Sequence, residues 1–194
     1  MDLALRVAEG QNLWGMEVQQ GAVLHMVHKD TLAVTRNRLV SMTKRVPDAL
    51  YIGVMTESDM ELVLSAVPEF MESNPELSLV VVEVETPVAY MSQKLYAPGE
   101  LLLQYTHLKK LAAEKNITIL VVQRDVLYST SLCNYGEEGS ASISEAVDSC
   151  FELKINLFSD STGDLKRTSR SYGNVQWSIE YSMKTRRWHG EKKK

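Results

Sequence analysis

The sequence predicts an α/β domain: a mostly parallel sheet flanked by helices, with an antiparallel extension at its C-terminal end. Short β-branched apolar runs alternate with stretches of helical periodicity through residues 1–149, the pattern of a sheet with helices packed on its faces. The strand runs are apolar at consecutive positions, as expected of parallel strands covered on both sides. From residue 150 the texture changes to short strand patterns separated by Asp160-Ser-Thr-Gly163, by Gly173-Asn174 and by a tight turn near Lys184, which are hairpin signals.

The elements follow in order. Asp2 to Gly10 reads as a helix, and Gly21–Val27 and Leu50–Met55 as short strands. Leu32–Thr43 is predicted helical behind Asp30-Thr31, either of which can cap it, and Asp59–Glu72 behind Ser58. Leu77–Val84 and Ile117–Val122 are buried strands. Between them, Glu100–Lys115 follows Pro98-Gly99, and Leu101, Leu102, Tyr105, Leu108, Leu111 and Ala112 recur at helical spacing as its buried stripe. Phe151–Phe158, Leu165–Tyr172, Val175–Met183 and Thr185–His189 are the C-terminal strands. The reading is one domain over residues 1–194, with an α/β core at 1–149 and antiparallel strands plus a basic tail at 150–194.

A chain of 194 residues, 44% hydrophobic, is long enough to bury one core. Apolar runs such as Leu79–Val82 fall far short of the roughly 20 residues of a spanning helix, so no membrane role is expected. Cys133 and Cys150 lack C-x-x-C spacing and read as reduced thiols of a cytoplasmic protein. The net charge of −4 hides an asymmetry: Lys184, Arg186, Arg187, Lys192, Lys193 and Lys194 against Glu191 put +5 on residues 184–194 and leave −9 on the rest. An acidic body disfavours a broad nucleic-acid groove, while the short basic tail can reach phosphates or an acidic protein.

The run Met1 to His25, with Asp2-Leu-Ala-Leu-Arg-Val-Ala-Glu-Gly10 at its head, resembles the segment after the phosphate-binding loop in RepA-like, RecA-fold ATPases of phages, plasmids and integrative elements. The similarity is clearest over residues 1–40 and extends to about 190, through Asp59–Val84, His107–Val122, Ser142–Asp148 and a closing strand with Trp188. The resemblance implies a RecA-like fold and a kinship with replication helicases or recombination ATPases. The loop G-x-x-x-x-G-K-[ST], whose N–H groups and Lys hold the phosphates, has no match in the sequence.

Further departures fall at positions of chemistry. Where the family ends its strand after residue 28 with Glu-Asp, to orient the attacking water, this chain has Lys29-Asp30. Where an Asp helps hold Mg²⁺ it has Glu83, followed by Glu85. A pair of histidines that senses the γ-phosphate is replaced by Gln123-Arg124, and a later glycine by Glu145; Arg170 matches a basic position of the late strands. The resemblance therefore points to a degenerate member, a pseudo-ATPase without catalytic residues or cofactor. The family's first strand lies between the strands here at Ile117–Val122 and Phe151–Phe158. Its loss predicts that those two strands pair directly, or that another segment or a second copy fills the gap, with a homodimer favoured by the open edges.

Other chemistry has little support. His25, His28 and Asp30 suggest a metal only superficially, because residues three apart on a strand face opposite ways. Ser129–Cys133 has hydroxyls and a thiol but no base at a fixed spacing. Tyr172, Trp177, Tyr181 and Trp188 lie near Arg170, Arg186 and Arg187, and aromatic and Arg residues anchor protein interfaces or stack on bases. The expected function is a non-catalytic protein-binding factor of a mobile element, with a host or element partner. Inhibition of a DNA-processing or defence machine such as a CRISPR nuclease is its specific form. The alternative is a DNA-binding accessory of replication or recombination, binding weakly through Arg170, Trp177, Trp188 and the basic tail.

Overall fold

The computed structural model describes residues 1–28, 30–55, 60–85, 98–124, 146–156 and 159–193. Lys29, Glu145, Lys194 and the Ser129–Cys133 segment lie outside them. The described chain runs α1 (Asp2–Glu9), β1 (Ala22–His28), α2 (Leu32–Met42), β2 (Leu50–Met55), α3 (Met60–Ser73), β3 (Leu77–Glu85), α4 (Pro98–Lys115), β4 (Thr118–Arg124), β5 (Ser149–Asn156), β6 (Ser159–Ser169), β7 (Val175–Ser182) and β8 (Arg187–Lys192).

β1 to β4 form a parallel sheet in the order β2-β1-β3-β4. The central strands β1 and β3 are buried on both faces, which is why they read as continuous apolar runs; the outer strands β2 and β4 are mostly half-buried, with Val54 and Val122 exposed, against the expectation of a buried strand at Ile117–Val122. Leu24, Met26, Val80, Val82 and Val84 pack with Val63, Val67, Tyr105, Leu108 and Leu111 of α3 and α4. On the other face Val23, Leu79 and Val81 pack with Ala4, Leu5, Ala8 and Leu39 of α1 and α2. The α2 cap is Thr31, whose side chain accepts from the Val34 N–H at 3.3 Å. The predicted α4 stripe is buried at Tyr105, Leu108 and Leu111, three residues apart on one helical face.

The antiparallel C-terminal segment is present as a sheet of its own, in the order β5-β6-β7-β8. Among the described residues β4 pairs with β3 and β5 with β6, in separate sheets, so the direct pairing of β4 with β5, one of the expected outcomes, is not present. Asp160–Gly163 is not a turn but part of β6. Gly163 is required there because a Cβ would stand 2.5 Å from the Lys154 carbonyl oxygen of β5. The β6–β7 connection spans residues 170–174, longer than the two-residue turn expected at Gly173-Asn174. Cys150 is disulfide-bonded, against the expectation of reduced thiols; the only other cysteine in the sequence, Cys133, lies outside the described residues. Among the described residues no helix is long and apolar enough to cross a membrane.

The second sheet is held to the first through α1 and the loop after it. Arg187 of β8 donates to Gln11 Oε1 at 3.0 Å and to Glu9 Oε2 at 3.3 Å, with Asp2 Oδ1 at 3.7 Å. Trp14 Nε1 donates to the Trp188 carbonyl at 2.9 Å, and its ring lies 6.3 Å from that of Trp177. Gly190 makes room for it: a Cβ there would meet the Trp14 ring at 2.5 Å.

Candidate functional site

In open parallel sheets ligands meet the carboxyl ends of the strands, and the carboxylates singled out from sequence lie at that edge. His25, in the middle of β1, pairs in register with Val81 of β3. Both Val81 and Glu83 face α1 and α2, since side chains two apart share a face. This brings His25 Nε2 to 2.8 Å from Glu83 Oε1, across 58 residues of sequence.

The geometry resembles an ion pair, but burial decides otherwise. His25 is fully buried, and burial pushes its pKa down more than the Glu83 hydrogen bond raises it, with the Met1 amine and Arg38 adding repulsion. The ring is therefore neutral and donates from Nε2 to the carboxylate. That hydrogen bond is the main reason the Glu83 carboxyl is held below the usual range. Nδ1 is then the lone-pair nitrogen, and it has no hydrogen-bond partner; nor does the buried Thr35 hydroxyl of α2. The Met1 amine is itself pushed down by burial, despite Glu83 and Asp2.

Asp30, just past β1, forms a 2.8 Å ion pair with Arg38 of α2. Gln123 Oε1 accepts from the Tyr105 hydroxyl at 3.1 Å, and burial pushes that phenol up to about 12. Arg124 pairs in register with Glu85.

The C-terminal residues separate into two groups. Trp177, at 5% exposure, is core rather than a binding surface, because Trp14 packs over it. Arg187, at 12%, is engaged with α1 and is likewise removed from the solvent-facing set. Lys184 and Arg186 are exposed in the β7–β8 turn, and Lys192 is exposed on β8. Lys193 pairs with Asp164 at 2.7 Å, and the Trp188 ring lies 5.3 Å from Tyr181. Arg170 donates to the Val147 carbonyl at 3.1 Å. Sequence reasoning missed Arg38 and Trp14. Trp14 lies in a turn beside Gly15 where both residues have positive φ, and the sequence shows of this only the Trp14-Gly15 pair.

Titration of the His25–Glu83 pair predicts acid sensitivity. A folded-state His25 pKa below the ordinary value of about 6.5 means that the unfolded chain binds the proton first. The stability from the neutral ring is complete above that value and is lost as pH falls below it. Glu83, also depressed, contributes above its ordinary pKa and loses that contribution in more acidic solution, with the same sign. The melting temperature is expected to fall as pH drops below neutral, and His25→Gln to flatten the part of that fall that begins below about 6.5. Thermal unfolding followed by circular dichroism checks this, and a flat wild-type profile would contradict it.

No protein-family model matches the chain, and no curated protein matches it in sequence. Solved structures do. The chain is similar to a solved ATPase domain, with a TM-score of 0.64 and 11% identity over 88% of this chain and 75% of that one. It is similar to a DnaB-like replicative helicase, described with its interactions with primase, with a TM-score of 0.61 and 12% identity over 87% of this chain. The match spans about half, 51%, of that helicase chain. The RadB recombinase follows with a TM-score of 0.57 and 14% identity over 85% of this chain and 77% of that one. At these identities the likeness establishes the fold, which is RecA-like.

Proposed function

We propose that this chain is a non-catalytic, RepA-like pseudo-ATPase of a mobile genetic element that works by binding a protein. Its specific form is inhibition of a bacterial DNA-processing or defence machine, a CRISPR nuclease among them. The observation that carries the non-catalytic reading is the commitment of the carboxylates at the strand ends. Glu83 is held by His25 at 2.8 Å and Asp30 by Arg38 at 2.8 Å. A carboxylate that assists Mg²⁺-nucleotide chemistry must offer its oxygens to the ion or its waters, and here each has an in-chain partner. Exposed Tyr172 and Met183, in the connections flanking β7, support a protein partner, since apolar and aromatic side chains anchor interfaces.

Titration calorimetry with Mg-ATP and a phosphate-release assay test this reading. Neither binding nor turnover is expected; micromolar affinity, or turnover abolished by Glu83→Ala, would overturn it.

The exposed Lys184 and Arg186 of the β7–β8 turn favour a second reading, a DNA-binding accessory of replication or recombination. Gel shifts at two salt concentrations separate the two, because phosphate contacts make binding fall steeply with salt. Weak binding, lost when the basic tail is deleted, is the expected limit; sequence-specific nanomolar binding would reverse the order.

A further inference from the structure

One face of the antiparallel sheet is apolar, and only part of it is covered. Register sets Leu153, Leu165 and Trp177 side by side, with Phe151, Arg167 and Val175 in one flanking row and Ile155, Gly163 and Ile179 in the other, and cross-strand neighbours share a face. The Trp14 ring lies against this face at Trp177 and Gly190. Toward β5 the cover stops: Phe151, Leu153 and Ile155 are 49%, 52% and 39% exposed, and Tyr172, beside Arg167, is 73% exposed. At about 3.3 Å per residue the three β5 side chains form an apolar row about 13 Å long.

The charges indicate what this row fits. Alternation puts Arg167 and Lys192 on the apolar face, and Glu152, Asp164, Glu180 and Glu191 on the opposite one. The opposite face balances its own cations, with Lys154 paired to Glu152 at 3.1 Å and Lys193 to Asp164 at 2.7 Å. On the apolar face the Arg167 guanidinium donates to the Tyr172 carbonyl at 2.8 Å, with the Tyr172 ring 6.0 Å away, and meets no carboxylate among the described residues. Its charge is therefore fixed in place beside Phe151 and is available to an anionic group. Leu153 and Ile155 are aliphatic and offer no ring for a base to stack on, so the face suits a protein segment better than a single-stranded nucleic acid. Two turns of α-helix rise about 11 Å, which matches the row, and a helix is a standard second layer on the apolar face of a sheet. We propose that this face docks an acidic amphipathic helix of a partner protein, with its apolar stripe on Phe151, Leu153 and Ile155 and a carboxylate on Arg167. The proposal rests on the protein-binding reading and names the partner's chemistry.

Two helical peptides serve as probes for the full-length chain: one with a leucine stripe and glutamates on its other faces, and one with lysines in place of the glutamates. Wild-type protein should bind the glutamate peptide with sub-millimolar affinity by fluorescence anisotropy, with amide shifts at residues 151–155 and 165–167, and should not bind the lysine peptide. Leu153→Ser should weaken binding about tenfold, as expected for truncating an interface anchor. Arg167→Glu should weaken it similarly and let the lysine peptide bind, a reversal that a folding defect would not produce; circular dichroism checks that both variants fold. No binding of the glutamate peptide, equal binding of the two peptides, shifts confined to other surfaces, or an oligothymidine that occupies residues 151–155 in preference would each overturn the proposal. A protein partner whose binding ignores both substitutions would overturn this surface and leave the protein-binding reading standing. The Mg-ATP assays that test the pseudo-ATPase reading do not involve this face, so the two failures are distinguishable.

Discussion

Replacing Trp177 by alanine is expected to lower the stability of the folded chain by about 3–5 kcal/mol, the range for truncating a buried large aromatic. Trp177 is almost wholly buried in β7, packed against Trp14. The cavity left cannot collapse easily, because Trp14 is also fixed by its hydrogen bond to the Trp188 carbonyl. Trp177→Phe should lose less, as it keeps an aromatic ring under Trp14. Urea unfolding measures both variants. A Trp177→Ala loss below about 1 kcal/mol, typical of surface positions, would mean that the indole is not part of the core.

Arg187→Ala is the second large effect, with an expected loss of about 2–3 kcal/mol. This lies below the roughly 3–5 kcal/mol for breaking a fully buried pair, because Arg187 retains 12% exposure and Asp2 keeps its 3.2 Å contact with Arg6. What is lost is the link from β8 to α1 and to the end of α2, where the guanidinium also donates to the Met42 carbonyl at 3.4 Å. Glu9 is left with the Thr43 hydroxyl at 3.2 Å. A double-mutant cycle with Glu9→Ala should return a coupling energy above about 0.5 kcal/mol, as expected of residues in one network. Additive losses would show that the two side chains do not act together.

These two residues mark the boundary of what sequence reasoning can reach. Trp177 and Arg187 stand out in the sequence as side chains near other aromatic and basic residues, a pattern that points to a binding surface, whereas the fold uses both internally. Alternation along a strand says that half of its side chains are buried, not which half. That choice was made by α1 and the loop carrying Trp14, at the far end of the chain. The His25–Glu83 pair escapes sequence reasoning for the same reason: each residue is notable alone, and only the β1–β3 register puts them on one face.

Local chemistry determined the elements themselves. Consecutive β-branched residues in Leu77–Glu85 specify a strand buried on both faces, whereas Thr118–Arg124, read the same way, is a half-buried end strand with Val122 43% exposed; Thr31 specifies where α2 begins, and the spacing of Tyr105, Leu108 and Leu111 specifies the inner face of α4. These are short-range signals, contained within a few turns or strand repeats. Strand order, the separation of β5–β8 into a second sheet, and the place of Gly163 inside a strand rather than a turn were decided by pairing between distant segments. Backbone hydrogen bonds between strands are nearly indifferent to side-chain identity. The partner of each strand is therefore chosen by which faces can be buried together, and that exists only once the whole chain has folded.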